Sequence, residues 1–98
     1  SILGEKCNLG AGTIIANLRF DDGSVKMTVK DQIIDTGRRK LGAVFGDNVK
    51  TGIKSLFMPG VKVGANTWVG ANSMIERDLS ENSMVIFKQS NEIKKRPT

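Results

Sequence analysis

A period of six residues constrains this chain more than any other feature. Steps of six from Leu3 give Leu3, Leu9, Ile15, then Phe45, Thr51, Phe57, Val63, Val69 and Ile75, all apolar except Thr51. The next residue is Gly at positions 4, 10, 46, 52, 64 and 70, with Ala16, Met58 and Glu76 as exceptions. Four past each aliphatic stand Cys7, Thr13, Arg19, Val49, Ser55, Val61, Thr67, Ser73 and Leu79, small or apolar apart from Arg19. A helix is excluded, because each interior Gly costs about 1 kcal/mol relative to Ala. Six residues suit one short flat strand and a tight bend, with Gly supplying backbone freedom at the bend. One such unit buries nothing alone. Three of them closing a triangular turn, stacked on the next turn, place the aliphatics in continuous interior ladders and pair the backbone as parallel sheet. The alternative is an ordinary β-sandwich with turn signals, and the unbroken phase of "FGDNVKTGIKSLFMPGVKVGANTWVGANSMIERDLS" disfavours it.

The repeat resembles that of the hexapeptide-repeat proteins, whose coil is left-handed against the usual right-handed preference for parallel crossovers. The expected fold is therefore all-β: a single-stranded left-handed parallel β-helix with a corner hairpin insertion. One coil runs from residue 3 to 20 and two more from 45 to 80, with a loop at 21–44 and a C-terminal tail at 81–98. The 24-residue interruption is four periods long, so the register resumes in phase. Within it, Val25, Met27 and Val29 alternate with Lys26, Thr28 and Lys30 before Ile33 and Ile34, which predicts a two-stranded hairpin. Insertions in a solenoid gather on one face, often the binding face, although a solvated excursion that keeps an edge soluble is equally open. In the tail, residues 83–87 can add a last strand. The start at "SILGEK", with the repeat already running, reads as part of a longer polypeptide.

The 98 residues carry 15 Lys and Arg against 10 Asp and Glu, a net charge of +5 that favours anionic partners without choosing among them. A single cysteine gives no internal disulfide and fits a reducing, cytoplasmic setting. Cys7 falls on a small inward position and packs as a small hydrophobe rather than acting as a nucleophile. A 39% apolar composition argues against a membrane span. Nucleic-acid binding ranks last, because Phe20, Phe45, Phe57, Trp68 and Phe87 mostly follow the coil register and form no stacking platform among the basic residues.

At "NLGAGTIIANLRFDD", "GRRKLGAVFGDNVKTG" and "MPGVKVG" the sequence resembles the C-terminal β-helix domain of bifunctional sugar-1-phosphate nucleotidylyltransferase and amino-sugar-1-phosphate N-acetyltransferases, in the archaeal form with NLRF at 17–20. The resemblance implies acetyl transfer from acetyl-CoA to an amino-sugar 1-phosphate, in a site between the subunits of a homotrimer. It implies Asn17 and Asn8 as amides that hold the amino sugar, and Lys26 near the sugar phosphate. Ala11, Ile53 and Ala71 fall where the backbone lies along acetyl-CoA, and Lys88 where a basic residue meets the CoA phosphate. Arg38 and Arg39 are added as anion contacts, since a loop-borne guanidinium pair suits phosphate. Asn17 and Asn8 can equally serve as corner residues, as Asn48, Asn66 and Asn72 are expected to do. Lys26 can equally be an exposed hairpin lysine, and Lys88 a solvated tail charge.

No histidine occurs. In the family the general base is a histidine one coil before the asparagine matched by Asn17, so the resemblance puts it ahead of Ser1 and implies that this stretch alone trimerises but transfers acetyl groups poorly. No metal site is expected, and the missing imidazoles argue against the zinc carbonic anhydrases of the same fold. Mg2+ would belong only to the nucleotidylyltransferase half. Two departures, Gly23 where relatives carry a second lysine and Ile53 where bacterial relatives carry a smaller polar residue, keep a second function open: a trimerising platform with a degenerate acetyl site.

Overall fold

In the computed structural model, which describes residues 1–97, the chain winds as a left-handed parallel β-helix. The first turn carries β1 (Ile2–Leu3), β2 (Asn8–Leu9) and β3 (Ile14–Ile15), and the hairpin β4 (Lys26–Val29) and β5 (Gln32–Asp35) follows. The second turn carries β6 (Val44–Phe45), β7 (Lys50–Thr51) and β8 (Leu56–Phe57), and the third β9 (Lys62–Val63), β10 (Trp68–Val69) and β11 (Met74–Ile75). A partial fourth turn adds β12 (Met84–Val85). Three parallel sheets, in the orders β1-β6-β9, β12-β10-β7-β2 and β11-β8-β3, form the walls of the prism. Phe45 pairs with both Leu3 and Val63, so the insertion leaves the six-residue phase intact, as expected.

The second residue of each strand of the second and third turns points inward. Phe45, Phe57, Val63, Val69 and Ile75 are buried together with Val49 and Val61. The Phe45 and Phe57 rings meet edge to face at 5.0 Å, the favourable geometry for two quadrupoles. Thr51, the polar member of the ladder, is satisfied internally: its Oγ1 lies 2.9 Å from Thr13 Oγ1 and accepts the Gly10 N–H at 3.1 Å. That pairing removes the desolvation cost a lone hydroxyl would carry. Cys7 sits half-buried at its inward position, its thiol donating to the Gly46 carbonyl at 3.2 Å.

The glycines that follow each aliphatic serve a different purpose from the one expected. Positive φ is carried at the corners instead by Asn48, Asn66, Asn72 and Asn82, by Lys6 and Lys54, and by Gly12 and Gly60. Asn tolerates that region better than most residues, which explains its recurrence there. Asn48 and Asn66 then pair side chain to side chain at 3.0 Å between turns. Gly46 and Gly52 are instead required by close stacking: a Cβ at Gly52 would stand 2.6 Å from the Ala71 nitrogen, and one at Gly46 2.7 Å from that of Ala65.

The register of Leu79 also differs from expectation. It is not the fourth residue of the Ile75 unit. It bridges Val63 in parallel, and Val85 pairs with Val69, so the last turn runs two residues short. Asp78 closes the shortened corner, its Oδ1 accepting the Lys62 N–H at 2.8 Å. The final turn therefore begins before residue 80, and the first part of the expected tail is wall.

The hairpin turns at Lys30–Asp31, both at positive φ, the two-residue geometry whose twist matches antiparallel strands. Its neck is clamped by an antiparallel bridge between Leu18 and Lys40 and by the Leu41 N–H donating to the Asn17 carbonyl at 2.9 Å. Among the described residues, no helix is long and apolar enough to cross a membrane.

Candidate functional site

The corners stack into edges that run along the coil axis, and two of these edges collect more than half of the expected site residues. The first lies between the β2 and β3 walls. There Ala11, Ile53 and Ala71 form successive rungs, joined by the Lys54 N–H donating to the Ala11 carbonyl and the Asn72 N–H to the Ile53 carbonyl, each at 2.9 Å. Val85 lies below Val69 in register, and the Gly70 N–H donates to the Val85 carbonyl at 2.8 Å; Lys88 follows three residues on, and among the described residues no backbone bond to Ala71 makes it a further rung. Ala11, Ile53 and Ala71 thus share one line, one per turn. Ala11 and Ala71 leave the backbone accessible, whereas Ile53, 59% exposed, projects an apolar side chain between them. The edge contains one cation that sequence reasoning missed: Lys54 lies across Gly12, where a Cβ would meet its Cδ at 2.8 Å. Its place two residues after Gly52, at a left-handed corner, was the available signal.

The second edge is the corner between the β3 wall and the next turn, where the hairpin leaves. Asn17 starts it, Met58-Pro59-Gly60 forms the middle rung and Glu76-Arg77-Asp78 the lower one. Lys26, at the head of β4, is held over this edge. Its neighbour Val25 is 1% exposed, takes the Thr36 N–H on its carbonyl and donates its own N–H to the Arg38 carbonyl at 2.8 Å. Gly60, at φ +79°, lets the hairpin come close, since a Cβ there would stand 2.5 Å from the Lys26 carbonyl oxygen.

Two clefts flank the hairpin on this edge. One, of about 460 Å³, is apolar and lined by Leu18, Phe20, Met58 and Pro59 with Arg19 and Asp21 at its mouth. The Asp21 carboxyl is held below its usual range, first because Oδ1 accepts the Gly23 N–H at 2.9 Å; slight desolvation opposes this, and the Arg19 guanidinium, 2.6 Å from Oδ2, adds to it. The other cleft, of about 470 Å³, is polar and brings Lys26 and Thr28 of β4 together with Glu76, Arg77 and Asp78.

The remaining expected residues are not gathered there. Asn8 is exposed on β2, paired with Lys50 in a different wall from the one that leads to Asn17, so a single chain does not bring the two amides to one face. Arg39 pairs loosely with Asp22 at 3.6 Å, and Arg38 contributes its carbonyl to Val25 rather than a fixed guanidinium. Among the described residues no group of three or more His, Cys, Asp or Glu side chains is placed to hold a metal. Between the two edges lies the β11-β8-β3 wall, whose outward residues Ile14, Leu56 and Met74 are all apolar.

Fold and site define a hexapeptide-repeat β-helix. Crystal structures of Entamoeba histolytica serine acetyltransferase isoform 3 in complex with cysteine and of native serine acetyltransferase 1 share the fold. Their TM-scores are 0.68 and 0.65, covering 95% and 88% of this chain and 28% of each of theirs, at 19% and 24% identity. No protein-family model matches. By sequence the chain resembles the C-terminal β-helix part of GlmU-type bifunctional proteins. It is 56% identical over 85 residues to the bifunctional protein GlmU of Methanocaldococcus jannaschii, covering 87% of this chain and 21% of that one. It is 49% identical over 79 residues to the bifunctional sugar-1-phosphate nucleotidylyltransferase/acetyltransferase of Sulfurisphaera tokodaii, covering 81% and 20%. The chain thus spans about a fifth of the length of the curated relatives it matches.

Proposed function

We propose that this β-helix is the acetyl-transferring domain of a sugar-1-phosphate nucleotidylyltransferase, acting with acetyl-CoA on the amine of an amino-sugar 1-phosphate. The observation that carries the reading is identity near one half, across four fifths or more of the chain, to bifunctional proteins, of which the Sulfurisphaera tokodaii relative bears both activities in its name. The edge formed by Ala11, Ile53 and Ala71 supports it, because its two small rungs suit close approach of an extended ligand, whose phosphate end Lys88 meets in this reading. Asn17 and Asn8 hold the sugar in this reading, Lys26 attends its phosphate, and Arg38 and Arg39 are further anion contacts carried by the same loop. Two edges separated by an apolar wall suit a homotrimer in which one copy's cofactor edge meets another copy's hairpin edge over Ile14, Leu56 and Met74. Such a metabolic enzyme works in the cytoplasm, and Mg2+ belongs to the nucleotidylyltransferase half.

In the reaction, the amine nitrogen attacks the thioester carbonyl carbon, the C–S bond breaks from the tetrahedral intermediate, and CoA leaves as its thiol. The amine must lose a proton on the way, and a base with a pKa near neutrality contributes about 10² to 10⁴ in rate. This chain has no histidine to serve, so by itself it transfers acetyl groups poorly. Backbone N–H groups aimed at the oxyanion and amides that align the amine supply the remaining requirements.

The test is CoA thiol release by the longer polypeptide with its upstream residues restored, given acetyl-CoA and glucosamine 1-phosphate. Release that falls at least 100-fold in Asn17→Ala supports the reading. A folded trimer that releases no thiol with any amino-sugar phosphate leaves the domain as an assembly platform, the alternative to which an exposed Ile53 between two alanines lends support.

A further inference from the structure

We propose that the polar cleft beneath the hairpin is a sugar-phosphate subsite in which Arg77 supplies the second cation beside Lys26, and Glu76 selects a phosphate that carries a polyol. The ligand class rests on the acetyl-transfer reading; the cleft itself rests on geometry.

Charge accounting leads to this assignment. Five polar side chains face the cleft: Lys26, Thr28, Glu76, Arg77 and Asp78. Asp78 is already engaged, with Oδ1 on the Lys62 N–H at 2.8 Å and Oδ2 facing Lys62 Nζ at 3.8 Å. Among the described residues, neither Lys26 nor Arg77 has a carboxylate within salt-bridge distance, and Glu76 has no cation. Two free cations and one free carboxylate therefore share the cavity with a hydroxyl. The cations and Thr28 match a phosphate monoester, with the guanidinium able to engage two of its oxygens at once. Glu76 accepts from sugar hydroxyls and repels a bare phosphate dianion. A second lysine, expected where this chain has Gly23, is thereby replaced from the coil side of the cleft instead of the loop side.

The arrangement is also fixed in place. The lower corner belongs to the coil, and the facing strand is pinned by buried Val25 and by its close approach to Gly60. Both cations are carried by elements that need not reorganise on binding, which conserves affinity.

The experiment is calorimetric titration of the 98-residue chain with glucosamine 1-phosphate, inorganic phosphate and glucosamine, with amide shifts followed by NMR. Expected are shifts at Lys26, Thr28 and Arg77, tightest binding for the sugar phosphate, and about tenfold weaker binding in Arg77→Ala and in Lys26→Ala. Glu76→Gln should narrow the preference for the sugar phosphate over inorganic phosphate. Gly60→Ala, which displaces the hairpin without touching a charge, should weaken binding too. Unchanged affinity in Arg77→Ala, or equal affinity for inorganic phosphate and the sugar phosphate, overturns the proposal. Binding that depends on Lys26 and Arg77 without thiol release by the longer polypeptide upholds the subsite and removes the acetyl-transfer reading. Thiol release with an unchanged KM in Arg77→Ala does the reverse.

Discussion

The coil and the hairpin are built on opposite economies. Coils two and three bury nearly every inward side chain, and each strand of the second coil is held by parallel pairing above and below. The hairpin strands β4 and β5 pair only with each other, and Val25 alone, just before β4, fastens them to the corner through a buried side chain. A periodic wall gains cooperativity from repetition, whereas an insertion is free to carry charge and follow a ligand's shape because few of its residues are needed for folding. Lys26 and Thr28 lie on the one, and Glu76 and Arg77 on the other.

The sharpest way to break the comparison is to delete the same kind of atom in both regions. Phe57 is fully buried, stacked between Ile15 and Ile75 and edge-on to Phe45. Phe57→Ala is expected to cost about 3–5 kcal/mol in denaturant unfolding, with the whole coil losing protection together. Val25→Ala removes two methyl groups and is expected to cost about 1.5 kcal/mol. In hydrogen exchange that loss should be confined to residues 25–36, leaving the coil amides at wild-type protection. Coil amides that open with the hairpin would show that the two regions form one folding unit.

A second pair of variants separates crowding from backbone conformation. In Gly52→Ala the new Cβ meets the Ala71 nitrogen, so the second and third turns must part, at a cost of about 1–3 kcal/mol. In Gly37→Ala nothing lies within 4 Å of the new atom, and only the positive φ of +68° resists it, at about 1 kcal/mol. Equal costs at the two positions would mean that stacking distance is not what the coil glycines provide.

The same division explains what could be read in the sequence. The coil was legible because its burial is periodic: Phe45, Phe57, Val63, Val69 and Ile75 are both the repeat and the core. The slip at Leu79 was hidden because an aliphatic fits either register, and only the shortened corner at Asp78 distinguishes them. The purpose of Gly46 and Gly52 was hidden too, since contact between turns is a property of stacking and not of local conformation. Of the site, Ala11, Ile53 and Ala71 were expected on the resemblance alone, and their equal phase, one position per turn, explains why they share an edge. The polar cleft did not, because Lys26 and Arg77 stand 51 positions apart and meet only through the path of an insertion that has no period.

The smallest effect concerns the neck of the hairpin. Asp21 is exposed, and its carboxyl lies below its ordinary 3.8 chiefly because Gly23 donates to it, with Arg19 adding charge. A carboxyl depressed in the folded state stabilises the fold above its unfolded value and loses that contribution as pH falls through the folded one. Acid should therefore loosen residues 19–23 only below pH 3.8, and the coil interior, which buries no carboxylate, should feel little of it. An NMR titration of the Asp21 carboxyl should show its midpoint below 3.8. Arg19→Ala should raise that midpoint while leaving it still depressed, because the larger cause is the Gly23 N–H. A midpoint restored fully by Arg19→Ala would make the neck an ion pair instead of a backbone turn, and the hairpin's attachment would then weaken with salt as well as with acid.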